Sequence, residues 1–266
     1  MNTLDTYAIV GDIKGVISEL DKGADIHMGT EDFPNDSALC SATTNNHTDV
    51  IKLLIERGAD IHVRDDMPLS YAASRGQLDM VQYLIGKGSN VSAHHNVAVR
   101  VASAKGHLDV VKYLVEHGAN INDFSGDEED ALCGTKNRDV AEYLVENGAD
   151  INAFDSKAFR HAAQFGYIEV VKFLLEKGVD VHVRNDEAIR FASANGHLDV
   201  VKLLIENGAD INADHLHPFD DEEEEFELYQ EGDEYAGYHR NALESAHKYN
   251  HTQIAEFLVE RGAISV

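Results

Sequence analysis

Fifteen histidines, 48 acidic residues and two cysteines are the side chains of this protein best suited to chemistry. A metal ion needs three or four such groups converging at fixed spacing. His215 and His217 stand close to Asp220, with His239 further along, but the chain contains no HExxH and no CxxC. Covalent catalysis needs a nucleophile held against a base, and no such constellation is visible. The sequence therefore predicts no catalytic residue, no cofactor and no metal ligand, and a protein that is not an enzyme.

Three arginines behave differently. Arg100, Arg160 and Arg190 are separated by multiples of 30 residues. A guanidinium offers five donors in a planar fork, suited to carboxylates and carbonyls. Such arginines either tie neighbouring loops together or form a basic stripe for an acidic partner. The first role is expected, and all three stay candidate partner contacts.

What positions them is a repeat. Glycines fall at Gly23, Gly58, Gly88, Gly118, Gly148, Gly178, Gly208 and Gly262, and the five intervals from Gly58 to Gly208 are 30 residues each. A fixed period of this size marks a stacked-repeat architecture. In residues 96–125, a short stretch of small apolar residues (Ala98, Val99, Ala102) ends at Gly106, suited to the left-handed position that closes a helix. Asp109 is expected to cap a second helix. Val110, Val111, Leu114 and Val115 give that helix one apolar face, and Gly118 ends it. A helix pair this small cannot bury its own face and must lean on its neighbours.

These residues resemble the ankyrin repeat. The GH dipeptide stands at Gly106–His107 and Gly196–His197; the GAD-I-N ending stands at Gly148–Asn152 and Gly208–Asn212, with GAN-I-N at Gly118–Asn122. The TPLH-type entry survives best at Met67-Pro68-Leu69-Ser70 and otherwise reads Ala98-Val99-Arg100, Ala158-Phe159-Arg160 or Ala188-Ile189-Arg190. The resemblance implies an all-α solenoid of about eight helix-turn-helix repeats. The period of 30 is short for the family and implies short outward loops. One domain is expected over residues 1–266, with repeats ending near Asp25, Asp60, Asn90, Asn120, Asp150, Asp180, Asp210 and Ile264. The AxR entry and the GHLDVVK helix also resemble ankyrin proteins of giant amoeba-infecting viruses.

Three places break the rhythm. The interval from Gly23 to Gly58 is 35 residues, with a longer loop around Pro34, and Asn46 replaces a helix-ending glycine. In the repeat ending at Gly148, Ala131 stands eight residues before Asp139, where Ala98 stands eleven before Asp109, so its first helix is expected to be about one turn short. An insertion spans residues 213–239, with eleven acidic residues, no Lys or Arg, and interleaved aromatics that include Phe226 and Tyr229. It reads either as a solvated loop or as a segment that docks on a partner or on the protein itself.

By resemblance, the two positions before each GH face the concave groove. They read Ser74-Arg75, Ala104-Lys105, Gln164-Phe165, Ala194-Asn195 and Lys248-Tyr249, varying while the packing positions stay constant. Loop tips at Asp65, Asp66, His94, His95, Phe124, Phe154 and Asp186 join the same candidate surface. Exposed Phe124, Phe154 and Phe165 would be natural apolar anchors. The last repeat keeps Ile254, Ala255, Phe257, Leu258 and Val259, so a partly apolar C-terminal end face and self-association through it are expected.

The net charge of −26 argues against binding nucleic acid or anionic membranes. No basic-then-apolar leader and no 18-residue apolar run appears. About three repeats separate Cys40 from Cys133, too far for a disulfide, and free thiols fit a reducing compartment. The expectation is a cytoplasmic protein (host cytoplasm or virion, if viral). It would bind an unidentified protein through its concave face and loop tips. The competing readings are a structural or assembly component, of a viral particle for instance, and a metal-binding or enzymatic site in the acidic insert.

Overall fold

The computed structural model describes residues 3–28, 38–124, 130–213 and 241–264. Every regular element among them is helical. Two compact units divide the chain, Met1–Ala131 and Leu132–Val266.

The first unit holds four helix pairs: α1 (Thr3–Val10) and α2 (Ile13–Asp21), α3 (Ala38–Thr44) and α4 (Thr48–Glu56), α5 (Val63–Ser74) and α6 (Leu78–Gly86), α7 (Ala93–Lys105) and α8 (Leu108–Glu116). First helices pack in file, α1 on α3, α3 on α5, α5 on α7, and second helices α2, α4, α6 and α8 form a parallel file. The second unit holds α9 (Arg138–Glu146), then α10 (Ala153–Gln164) with α11 (Ile168–Glu176), α12 (Val183–Ala194) with α13 (Leu198–Glu206), and α14 (Ala242–Lys248) with α15 (Thr252–Glu260). It repeats the arrangement, α10 on α12 on α14 beside α9, α11, α13 and α15.

The apolar spacing explains the packing. Val110, Val111 and Leu114 are fully buried, as are their counterparts Val201 and Leu204 in α13. Leu53, Tyr83 and Tyr113, on the next strip round their helices, are only half-buried. Each second helix therefore lays one apolar stripe on the first helices and leaves its charged face to water.

The second helices begin one or two residues earlier than the acidic cap implies. His107 occupies the cap position of α8, and Asp109 lies inside the first turn, where its Oδ1 accepts the adjacent Val110 N–H at 2.9 Å. There the carboxylate still meets the positive end of the helix dipole. At α9 a side chain does cap the helix: Asn137 accepts from the N–H groups of Asp139 and Val140 at 2.8 and 3.2 Å.

Repeats are joined by a turn the sequence does not announce. Residues 64–66, 94–96, 154–156 and 184–186 each make three consecutive left-handed residues, with φ between 46° and 57° and no glycine. Such a turn crowds Cβ against the following carbonyl and costs roughly 1–2 kcal/mol per residue. Two sets of hydrogen bonds hold it. The side-chain oxygens of Asp60, Asn90, Asn120, Asp150, Asp180 and Asp210 accept the N–H two residues on at 2.9–3.1 Å, fixing the approach to the turn or loop. The recurring arginines close the turn from behind: Arg160 donates to the carbonyls of Phe154 and Asp155, Arg190 to those of Arg184 and Asn185, and Arg100 to that of His95.

The interrupted repeat departs further than expected. Residues 131–134 form turns and carry no helix at all, not a helix shortened by one turn. Ala131, Leu132 and Cys133 remain buried, so the apolar slot is filled without the helix. The border between the two units falls within this repeat, between Ala131 and Leu132.

Candidate partner-binding face

Adjacent first helices are strapped at their C-terminal ends. His47, His107, His197 and His251 place Nε2 at 2.8–3.1 Å from the carbonyls of Ile9, Ser74, Gln164 and Ala194, one repeat back. The strap satisfies a carbonyl that the helix end would leave bare. It also fixes where the residues just before each GH emerge.

In the first unit those residues are Arg75 and Lys105, both exposed. Arg75 lies over the Tyr71 ring at 5.0 Å and donates through Nη2 to the Thr44 carbonyl of the preceding repeat at 2.9 Å. Between α5 and α7 lies a hollow of about 280 Å³ lined by Ser70, Tyr71, Ser74, Arg75, Val97 and Val101. Its lining joins the apolar Val97 and Val101 and the Tyr71 ring to the cationic Arg75.

In the second unit the same file reads Phe165, Asn195 and Tyr249. Phe165 is 45% exposed although aromatic, and Tyr249 is 40% exposed. Phe165 stacks on Tyr167 at 6.0 Å and packs against His161 at 4.4 Å, making an aromatic cluster on the open surface. Asn195 bonds back to the Phe191 carbonyl at 2.9 Å. The middle of this face is closed: Glu187, Phe191 and Ala194 on α12 are buried where α10 has half-buried Lys157, His161 and Gln164.

Among the loop tips, Asp65, His94 and His95 are exposed, Phe124 is 46% exposed and Phe154 is half-buried. Asp66 and Asp186 must be withdrawn from this surface. Both are buried, and their Oδ1 atoms accept the backbone N–H of Asn90 and Asp210 in the following repeat at 2.9 Å. Asn96 does the same for Asn120 at 2.8 Å and also reaches Asp123. His62 and His182 sit against Asp66 and Asp186 at 3.1–3.2 Å, and this contact raises the His182 pKa.

Arg160 and Arg190 are also withdrawn as partner contacts. They are 3% and 1% exposed, and Arg160 forms a buried ion pair with Glu187 of the next repeat. Each arginine clamps the left-handed turn of its own repeat, and Arg160 also spans to a neighbouring one. Arg100 is half-buried, at the side of the hollow's helix. Phe226, Tyr229 and the rest of residues 214–240 lie outside the described residues, as do His215, His217, Asp220 and His239. Among the described residues no three His, Cys, Asp or Glu side chains come together as a metal site would require. None of the described helices is long and apolar enough to cross a membrane. Cys40 and Cys133 are both buried.

At the C-terminal end the apolar stripe is partly buried and partly exposed. Ile254, Ala255 and Leu258 are buried, Val259 is 56% exposed, and Thr252, Glu256 and Glu260 face outward. Thr252 and Ala255 stand where α13 has Leu198 and Val201, so the outer stripe is trimmed here.

Paired helices stacked at a fixed period, strapped by histidines and capped by GA-D/N turns, define a helical repeat protein of the solenoid class. A family model described as ankyrin repeats (3 copies) matches residues 7–95, 39–125, 94–155 and 130–215. The chain belongs to the ankyrin-repeat family. No curated protein matches it, so the likeness to giant-virus ankyrin proteins has no relative behind it.

Proposed function

We propose that the protein is a non-enzymatic binding module that holds another protein on the face of its first helices and the adjoining loop tips. Repeats of this family generally serve protein–protein interaction. One observation carries the proposal for this chain: packing positions repeat almost unchanged, while Arg75, Lys105, Phe165, Asn195 and Tyr249 differ from one another and are all exposed. A residue with no packing duty is free to be chosen by a partner. Exposed aromatic and arginine side chains are also the types that anchor interfaces.

Site-specific photo-cross-linking tests this. A cross-linker at Lys105 or Phe165 should trap a discrete partner from the natural host, and one at Lys52 or Lys202 on the second helices should not. Trapping only from the second helices would overturn the reading. A purely structural role, with assembly through the chain ends, would instead give concentration-dependent self-association in sedimentation and no foreign cross-link.

A further inference from the structure

The protein is strongly acidic, but the first-helix face of its first unit is not. The acidic residues of helices α1, α3, α5 and α7 are Asp5, Asp65 and Asp66, all in first turns, and Asp5 and Asp66 are buried. From Met67 to Arg75 and from Val97 to Lys105 the only charged residues are Arg75, Arg100 and Lys105. The acids of this unit sit on second helices and turns, as at Asp49, Glu56, Asp79, Asp109 and Glu116. The segregation gives a cationic strip on a chain of net charge −26.

The strip borders an apolar hollow. Tyr71, Val97 and Val101 are half-buried and line it with Arg75. Arg75 spends one nitrogen on Thr44, and its face is held flat by Tyr71. Its other N–H groups, and the whole Lys105 ammonium, have no partner among the described residues. An arginine already oriented by stacking loses less freedom when it pairs with a carboxylate. Long-range repulsion from the remaining surface would turn away most acidic proteins, so the occupant must put its acids on this strip and an apolar group in the hollow.

We infer that the hollow between α5 and α7 takes an acidic segment of a partner protein, seating one aromatic or large aliphatic side chain on Tyr71, Val97 and Val101 while flanking carboxylates meet Arg75 and Lys105. This rests on the binding role proposed above and assigns it a chemistry. The aromatic cluster around Phe165 lacks such a rim and gives no comparable assignment.

The test is fluorescence anisotropy with the full chain and a labelled synthetic peptide in which Glu and Asp alternate with Phe and Tyr. A matched peptide carries Lys at every acidic position. The acidic peptide should bind saturably and weaken as salt is raised. Arg75→Glu with Lys105→Glu should weaken it by about tenfold or more, and so should Val101→Asp. Lys52→Glu with Lys87→Glu, an equal charge change on the second-helix side, should leave it within about twofold. Circular dichroism confirms that each variant is folded; Arg75 and Lys105 are exposed, so their exchange leaves the core intact. Absence of saturable binding, equal binding of the Lys peptide, or equal loss in the two charge-reversal pairs overturns the inference. Binding that appears only once residues 213–239 are deleted also overturns it, since the chain's own acidic stretch would then hold the hollow. A foreign protein cross-linked at Lys105 alongside failure of the acidic peptide would sink this assignment and leave the broader binding role standing.

Discussion

A Cβ added to Gly76 would lie 2.5 Å from Nδ1 of His107, whose Nε2 is 3.1 Å from the Ser74 carbonyl oxygen. One imidazole thus fills the space a side chain would need and caps the helix that the glycine ends. Gly76 also has φ +68°, which disfavours any other residue. Gly11, Gly166 and Gly196 meet His47, His197 and His251 in the same way.

Gly76→Ala is therefore expected to cost about 2–3 kcal/mol, from left-handed strain plus the clash. His107→Ala should cost about 1 kcal/mol through the lost hydrogen bond. The double variant should cost less than the sum, because no ring remains to clash. Urea unfolding of the four proteins measures the coupling; strict additivity would show that glycine and histidine do not share this space.

Arg184 sits at φ +48° and is exposed. Arg184→Gly should leave stability unchanged or raise it by up to about 1 kcal/mol, as relief of strain outweighs the added freedom of the unfolded chain. Arg184→Val should lower it by about 1 kcal/mol or more. Thermal unfolding in the order Gly, Arg, Val from most to least stable confirms the left-handed turn; the reverse order would show that these loops are built differently.

The Arg160–Glu187 pair is nearly water-free, with side chains 4% and 8% exposed. Arg160→Met should cost about 3–5 kcal/mol, since it strands a buried carboxylate and releases the left-handed turn. Adding Glu187→Met should recover part of that loss by removing the stranded charge. Unfolding midpoints for the single and double variants decide the matter, and a double variant worse than Arg160→Met alone would contradict the buried-pair account.

The His182 pKa is raised above its ordinary value, first by the hydrogen bond to Asp186 and then by the charges of Asp186, Asp180 and Asp210. A raised folded-state value means the protonated ring favours the fold. That contribution is complete below the unfolded value of roughly 6.5 and fades as pH climbs through the higher folded value. His182→Gln should therefore be less stable than the parent at pH near 5.5, with the gap narrowing as pH rises through the raised folded value. The ring is exposed, so the gap is small and weakens with salt. A gap that widens with pH would reverse the assignment.

Several features were plain in the linear chain. The period gave the helix pairs, because apolar residues three and four apart must share one helical face and a pair too small to bury it must stack. Asn46 announced itself as a glycine substitute, and its φ of +63° follows from its tolerance of that region. The file from Arg75 to Tyr249 could be picked out because positions without a packing partner drift. The left-handed turns left no such mark, since Arg64-Asp65-Asp66 and Phe154-Asp155-Ser156 share no residue type that favours positive φ throughout.

What the sequence determined by itself is the family, the repeat register and the residues that line the core, all matters of local spacing. The tertiary structure alone decided which polar residues face inward. Asp66 and Asp186 read as loop-tip surface groups in one dimension, and Arg160 and Arg190 as loop ties or a basic stripe; each is buried against a turn or a neighbouring repeat. A buried charge is tolerated only where partners surround it; besides His62 and His182 nearby, the backbone N–H groups that Asp66 and Asp186 accept from lie 24 residues away in sequence. Spacing within one repeat cannot reveal them; stacking can.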